Sequence, residues 1–347
     1  MDIFRILAAG FITFTRYHNN LTKMTSIKEF GGEFALIGAI AGKLGQARDR
    51  NIVKGIGDDA AVFKHDNKYY LLWTVDMMVE GDHFSRKWST PRQIGMKSME
   101  SNVSDIAAMG GFPKYALVSI SLPEDVTIEF VKEMYGGMRA VAEKYDFSIV
   151  GGNTTHGKSM VIDVTVIGFV EKDRLRLRSG ARVGDLVCVT GDLGKSRAGL
   201  ELLLAGKAGY TRGHLEPKCR LPEARVISKH ANAMIDVSDG LASEVTHLCE
   251  MSGTGALILK HSIPLSRQTK TAAKIVGKDP YDYALNGGED YELLFTVGRE
   301  KLREIRLRTP VTVVGIVTAR KHGIKISDGK TMSNLKGGYD HFIKTAG

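Results

Sequence analysis

Residues 54–76, KGIGDDAAVFKHDNKYYLLWTVD, decide how the chain is read. Two apolar runs, 60–63 and 69–75, flank the turn residues His65, Asp66, Asn67 and Lys68, the pattern of a β-hairpin. A hairpin centred near residue 67 pairs position 58 or 59 with position 75 or 76. It therefore gathers Asp58, Asp59 and Asp76 at one end of one hairpin, where the second strand is expected to stop. Like charges placed opposite one another destabilise a sheet. Such a cluster is tolerable when fully solvated or when a cation sits on it. The apolar residues that follow argue against full solvation, so the arrangement points to a metal.

Working outward, residues 33–44 carry helical apolar spacing (Phe34, Ile37, Ile40, Ala41, Leu44) and end in glycine. A second helix is delimited by Thr90 as cap, Pro91 in the first turn and Gly110-Gly111 at the end. Along it Ser98, Ser101, Asn102 and Asp105 recur at i, i+3, i+4 and i+7, one face of the helix. A polar stripe ordinarily faces solvent, but one built of short side chains also suits a hydrated, ion-filled site. Further on we expect a strand at 115–122, a helix at 127–145, a short strand at 148–150 running into GGNTTHG, and a strand at 161–170. Beyond the charged, turn-rich segment 171–184 come a strand at 185–190, helices to about 205 and near 222–233, and a strand into DVSDGL. A helix to 252, a strand at 256–260, the run NGGEDYELLFTV, a helix at 299–308 and a strand at 311–317 complete the pattern.

Strands and helices alternate in both halves, so the fold class is α/β (α+β) with two lobes. The domains are read as 1–26, an N-terminal extension that is disordered or precedes a start at Met24; 27–172, an N-terminal lobe; and 173–347, a C-terminal α/β lobe. The 347 residues are 43% hydrophobic and 25% charged, as in ordinary soluble proteins. Lysine and arginine (48) exceed aspartate and glutamate (39), a net charge of +9 that favours anionic partners. The surplus forms no block and no basic–aromatic stripe, which argues against nucleic acid. Cys188, Cys219 and Cys249 form no CxxC pair and read as reduced thiols of a cytoplasmic protein. No apolar run is long enough to span a bilayer, and no membrane partner is expected.

Several motifs are weak when taken singly. GDLGKS at 191–196 lacks the glycine a P-loop requires, since Val189 stands there, leaving a strand-to-helix turn whose amides could meet an anion. GGNTT at 151–155 could bring main-chain amides to a phosphate. DVSDGL at 236–241 could be a helix cap, and NGGEDYEL at 286–293 a turn. Together they place carboxylates at glycine-marked strand ends or on one helix face: Asp58, Asp59, Asp76, Asp105, Asp236, Asp239, Glu289 and Asp290. Carboxylates without histidine or cysteine partners suit magnesium, which shares its shell with substrate phosphates. That is phosphoryl-transfer chemistry.

In their order and spacing, GIGDDAAV, TVDMMVEGDHF, NVSDIAAMGGFP, VGGNTT, LRSGARVGD, DVSDGL and GGEDYELLFTV resemble the thiamine-monophosphate kinase family, within the aminoimidazole-ribonucleotide synthetase-like superfamily. The resemblance runs from about residue 33 to residue 342. It implies that residues 27–172 form an ATP- and magnesium-binding N-terminal lobe whose mixed sheet makes a homodimer interface, and that the chain carries out ATP-dependent conversion of thiamine monophosphate to thiamine diphosphate with several Mg2+ ions. By matching positions it implies Asp59, Thr74, Asp76, Asp105, Asp236 and Asp239 as magnesium ligands. It implies Gly152, Asn153, Arg178, Ser238 and Tyr135 as ATP contacts, with Asp76 and Arg178 central to catalysis. His83, Glu289 and Tyr339 would contact the thiamine substrate. Asn153 stands where many members have aspartate, which removes a charge from that point. The competing readings are another ATP-dependent enzyme of the superfamily acting on a different phosphorylated metabolite, and a non-catalytic nucleotide- or RNA-binding protein.

Overall fold

The computed structural model describes residues 25–45 and 49–342. The chain divides into two compact units: residues 25–45 with 340–342, and residues 49–339. In the smaller unit a short helix, Ile27–Phe30, with Ser26 and Glu29 in a capping box, precedes the helix Gly32–Leu44, which ends at Gly45. The expected helix is present, and its apolar residues Phe34, Ile37, Ile40 and Leu44 are exposed. Most of the expected N-terminal extension, residues 1–24, lies outside the described residues.

The larger unit is mixed α/β and holds two mixed sheets. The first contains β1 (Ile52–Lys54), β2 (Ala61–Lys64), β3 (Tyr69–Val79), β4 (Phe112–Leu122), β5 (Ser148–His156) and β6 (Val161–Glu171), in the order β1-β2-β3-β6-β4-β5. β2 and β3 form the expected hairpin, with Ala61 opposite Trp73 and Val62 opposite Leu72. That register is centred on residue 67. β3 does not stop at Asp76, however, but runs to Val79, because β6 pairs with it along its whole length. Likewise β5 continues through the GGNTTH run to His156, carried by parallel pairing with β4. A Cβ at Gly152 would lie 1.8 Å from the Val118 carbonyl oxygen, so only glycine permits that approach.

Alternation sets the two faces of this sheet. Leu72, Val118, Ile120, Ile162, Val164 and Val166 point inward and are buried with Met99, Val103, Ile106, Met134 and Met138 from the helices Pro91–Ala108 and Ile128–Lys144. Trp73, Val75, Met77, Tyr115 and Leu117 lie on the opposite, exposed face. The two helices approach closely through glycine: a Cβ at Gly95 would sit 1.9 Å from the Met134 oxygen, and one at Gly137 2.1 Å from the Arg92 oxygen. This contact fixes the height of the helix Pro91–Ala108 over the sheet, and with it the polar stripe.

The second sheet contains β7 (Leu186–Thr190), β8 (Ala233–Asp236), β9 (Thr254–Leu259), β10 (Leu293–Val297), β11 (Val311–Ala319), β12 (Ile324–Ser327) and β13 (Met332–Asn334), in the order β13-β12-β9-β11-β7-β10-β8. Its central strands are buried on both faces. Cys188, Met234, Leu293 and Phe295 join the core that includes the first sheet, whereas Val187, Val189, Ile235 and Leu294 pack into a separate core under the helix Leu241–Ser252. The expected helix near 222–233 is only Leu221–Ile227, and the one at 299–308 only Leu302–Arg306. The helices Arg267–Val276 and Pro280–Asn286 carried no expectation; Ser266 and Asp279 cap them.

Gly95→Ala is expected to cost about 1–3 kcal/mol of stability through overpacking against Met134. Urea unfolding measures this, and an unchanged midpoint would contradict the glycine-mediated approach.

Candidate active site

The polar stripe on the helix Pro91–Ala108 does not face solvent. Ser98, Ser101 and Asn102 are buried, and Asp105 points into a carboxylate cluster with Asp59 and Asp236. Ligand atoms of these three residues lie within 4.8 Å of one another. Thr74 Oγ1 donates to Asp105 Oδ2 (2.5 Å) and sits 3.3 Å from the Asp59 carbonyl oxygen. Ser104, one position off the stripe, donates to Asp236 Oδ2 (2.5 Å). Asp236 ends β8 in the second sheet and Thr74 lies in β3 of the first, so both lobes supply the cluster. Asp76 is held at its edge: its amide donates to Asn102 Oδ1 (3.1 Å).

Electrostatics follow from this crowding. Burial, then repulsion from Asp163 and Asp59, raises the Asp76 carboxyl to about 6 despite a hydrogen bond from Ser101. Burial and the neighbouring Asp76, Asp236 and Asp59 charges push Asp105 far up, and burial with Asp59 raises Asp236. Asp58 is lifted to about 6 by burial and by Asp59, although the Arg178 amide donates to it (3.0 Å). Asp58 Oδ2 and Asp59 Oδ2 are buried without a hydrogen bond. Among the described residues the guanidinium of Arg178 reaches the cluster, with Nη2 2.7 Å from Asp59 Oδ1. Buried, mutually repelling carboxylate oxygens joined by a hydroxyl form a hard-oxygen donor set of the kind that suits magnesium.

The other expected site residues fall into two groups. Ser238 and Asp239 lie in the loop after β8, where the Asp239 amide donates to Glu244 Oε1 (2.9 Å). Asp239 stands beside the Asp59–Asp105–Asp236 triad and is not part of it. Glu244, buried on the helix Leu241–Ser252, is pushed up by burial and by Asp239 and Asp236; no motif marked it. Tyr339 closes over this loop: its amide donates to the Asp239 oxygen (2.9 Å) and its hydroxyl to Asp82 Oδ1 (3.2 Å), beside His83. Gly152 and Asn153 lie on the exposed edge strand β5, with Asn153 opposite Ser119, so its side chain belongs to the outer face of the sheet. Tyr135 packs against the core from the helix Ile128–Lys144. The contacts within the chain do not bring these three residues to the carboxylate triad.

Acidic residues of the GGEDYEL run diverge. Glu289 (φ 62°) and Tyr291 (φ 50°) adopt left-handed backbone, which is unfavourable for residues other than glycine. Pairing with the loop after β8 holds them there: the Glu289 amide donates to the Ser238 oxygen (2.7 Å) and the Tyr291 amide to the Val237 oxygen (3.0 Å). The kinked run aims Glu289 at Lys97, 2.7 Å from its Nζ, and at His214, 3.4 Å from Nδ1. Asp290 accepts the Gly194 amide (2.5 Å) and the Ser196 amide (3.0 Å). The expectation that GDLGKS amides could meet an external anion is therefore corrected, because Asp290 occupies them. Asp290 likewise stands apart from the metal-type cluster. Glu292 is buried and pairs with Arg220 (2.6 and 2.7 Å) and Lys195, while Thr190 donates to it (2.7 Å).

Fold and site together define a class: two mixed sheets that share a carboxylate cluster, in a chain whose residues 57–170 match the family model for AIR synthase related protein, N-terminal domain. Among curated relatives, the thiamine-monophosphate kinase of Aquifex aeolicus (strain VF5) is 43% identical over 282 residues, 79% of this chain and 88% of that protein. The thiamine-monophosphate kinase of Bacillus subtilis (strain 168) is 37% identical over 306 residues, 83% of this chain and 93% of that protein. A solved structure described as AaThiL complexed with AMPPCP and TMP superposes with a TM-score of 0.82 at 39% identity, covering 92% of this chain and 99% of that one. The chain belongs to the thiamine-monophosphate kinase family.

The raised carboxyls set a pH dependence. In the folded state they keep protons that the unfolded chain releases near pH about 4. Their contribution to stability is thus full below that value and is lost as pH climbs through the folded values, about 6 for Asp58 and Asp76 and about 8 for Asp236. For chelator-treated protein we expect the unfolding temperature to fall between pH about 5 and about 8 through these groups, and magnesium to raise it more at the higher pH, where protons no longer compete. An equal or absent magnesium effect at the two pH values would contradict the site.

Proposed function

We propose that this chain transfers the terminal phosphoryl group of ATP directly to the phosphate of thiamine monophosphate, giving thiamine diphosphate. The observation that carries the reading is the convergence of Asp59, Asp105 and Asp236 from both lobes in a chain of this family. The acceptor phosphate is largely ionised at neutral pH, since its second pKa is about 6. It needs no general base, in keeping with a site built of carboxylates and one arginine. What the reaction requires is relief of repulsion between two anions and their in-line placement.

Magnesium bound by Asp59, Thr74, Asp76, Asp105, Asp236 and Asp239 would neutralise the phosphates and polarise the transferred group. Among the chain's own residues, Asn102 and Ser101 hold Asp76, Ser104 holds Asp236, and Thr74 holds Asp105. Arg178 is poised on Asp59 and would exchange that carboxylate for phosphate oxygens. Gly152, Asn153, Ser238 and Tyr135 would line the ATP side, and His83, Glu289 and Tyr339 the thiamine side. Asn153 would offer a carbonyl oxygen without a charge.

We further propose a homodimer formed through the outer face of the first sheet. Its exposed Trp73, Val75, Met77, Tyr115 and Leu117 are a large apolar patch for a free surface, and it carries Asn153 at its edge. The domain boundary is placed near residue 172, between the two sheets. A cytoplasmic location suits three cysteines that are buried free thiols; among the described residues no helix is long and apolar enough to cross a membrane.

The test is product formation from ATP and thiamine monophosphate with and without magnesium. Thiamine diphosphate should form only with the metal; turnover of another phosphorylated metabolite instead would favour a different enzyme of the superfamily. Asp76→Asn should lower turnover by about a hundredfold or more with the fold intact by circular dichroism, and near-normal turnover would remove Asp76 from the mechanism.

A further inference from the structure

Lys97 lies on the helix Pro91–Ala108 immediately before the polar stripe and is 3% exposed. Lysine is seldom buried to that degree unless it is paired. Its Nζ donates to the main-chain oxygen of His83 (2.7 Å) and lies 2.7 Å from Glu289 Oε1. The same ammonium therefore joins the turn that carries His83 in the first lobe to the strained GGED run in the second. The turn is itself compact, with the His83 amide on the Val79 oxygen (3.0 Å) and the Val79 amide on His83 Nδ1 (3.2 Å). On the far side of the carboxylate, Glu289 Oε2 lies 3.4 Å from His214 Nδ1, and His214 meets Ser196 Oγ (3.2 Å). Tyr339 reaches the same turn through Asp82.

We propose that Lys97 is a positioning residue for the thiamine monophosphate site, acting through Glu289, whose carboxylate it fixes in place against the His83 turn. The inference rests on the reading that Glu289 contacts that substrate. Glu289 occupies a left-handed backbone position with its side chain mostly buried. A carboxylate so placed keeps one orientation only while a cation compensates it, because a buried charge left alone is strongly destabilising. His214 cannot replace the ammonium, since burial and then Lys97 itself hold the imidazole toward its neutral form. Burial alone would raise the Glu289 carboxyl, yet Lys97 and His214 bring it down to about 2, in line with the geometry. Lys97 lies outside the carboxylate triad, so its loss should act on one substrate and not on the other.

The experiment is steady-state kinetics on the full chain for Lys97→Met, Glu289→Gln and the double variant, titrating thiamine monophosphate and ATP separately, with thermal unfolding alongside. Lys97→Met should raise the KM for thiamine monophosphate by about tenfold or more while the KM for ATP stays within about twofold, and Glu289→Gln should raise the same KM. The double variant should be no worse than about twofold beyond Glu289→Gln alone, because residues acting as one unit are not additive. Should Lys97→Met fail to fold, the double variant, which leaves no unpaired buried charge, carries the test by that same comparison. If Glu289→Gln raises this KM and Lys97→Met does not, or if the two effects add in full, the role of Lys97 is overturned and that of Glu289 stands. If Glu289→Gln leaves it unchanged, the substrate reading of Glu289 falls, and the Lys97 proposal with it.

Discussion

Mutual repulsion among buried carboxylates is the constraint on which the rest of this molecule depends. Asp59, Asp105 and Asp236 would not be brought within ligand distance of one another in a protein designed only for stability. Each is held by a separate segment: the turn that leads into β2, the helix Pro91–Ala108 and the end of β8. The close approach of that helix to Ile128–Lys144 through Gly95 and Gly137 lowers the polar stripe onto the sheet. Hydroxyl donors from Thr74 and Ser104 then fix the side chains of Asp105 and Asp236, and Asn102 Oδ1 accepts the main-chain amide of Asp76. The scaffold is thus built around a charge that a bound cation, and the phosphates it carries, would complete.

Around the triad, the protein sorts its remaining acidic groups by giving each a different partner. Glu289 faces Lys97 and His214, Asp290 caps the helix Lys195–Leu204, and Glu292 is locked by Arg220, Lys195 and Thr190. Three carboxylates within four residues therefore serve three sites, which explains the left-handed backbone at Glu289 and Tyr291. Two of these uses are structural. The third joins the second lobe to the His83 turn of the first, and on our account sets the substrate's position.

Much of this was legible in the sequence where local rules apply. The hairpin register follows from turn chemistry and two-residue periodicity, so the approach of Asp59 to Asp76 could be read by counting, whereas Asp58 turns instead to the Arg178 amide. Thr90, Pro91 and the paired glycines delimited their helix because capping is local. What escaped depends on distant partners. β3 and β5 extend beyond their expected ends because β6 and β4 pair with them. A lysine beside a polar stripe reads as solvated until Glu289, nearly two hundred residues away, is placed against it. Asp290 looked like its neighbours, and only the fold shows its carboxylate on the Gly194 and Ser196 amides. Ser104 was missed for being one step off the stripe, and Glu244 because a helix glutamate carries no signal of burial.

The central claim is that the triad is a magnesium-binding cradle for phosphates. It is tested most directly by equilibrium binding of magnesium, with a non-hydrolysable ATP analogue present, to the natural chain and to the Asp105→Asn variant. The account predicts that the variant folds yet binds at least one ion fewer, or binds much more weakly. Unchanged stoichiometry and affinity in a folded variant would contradict it.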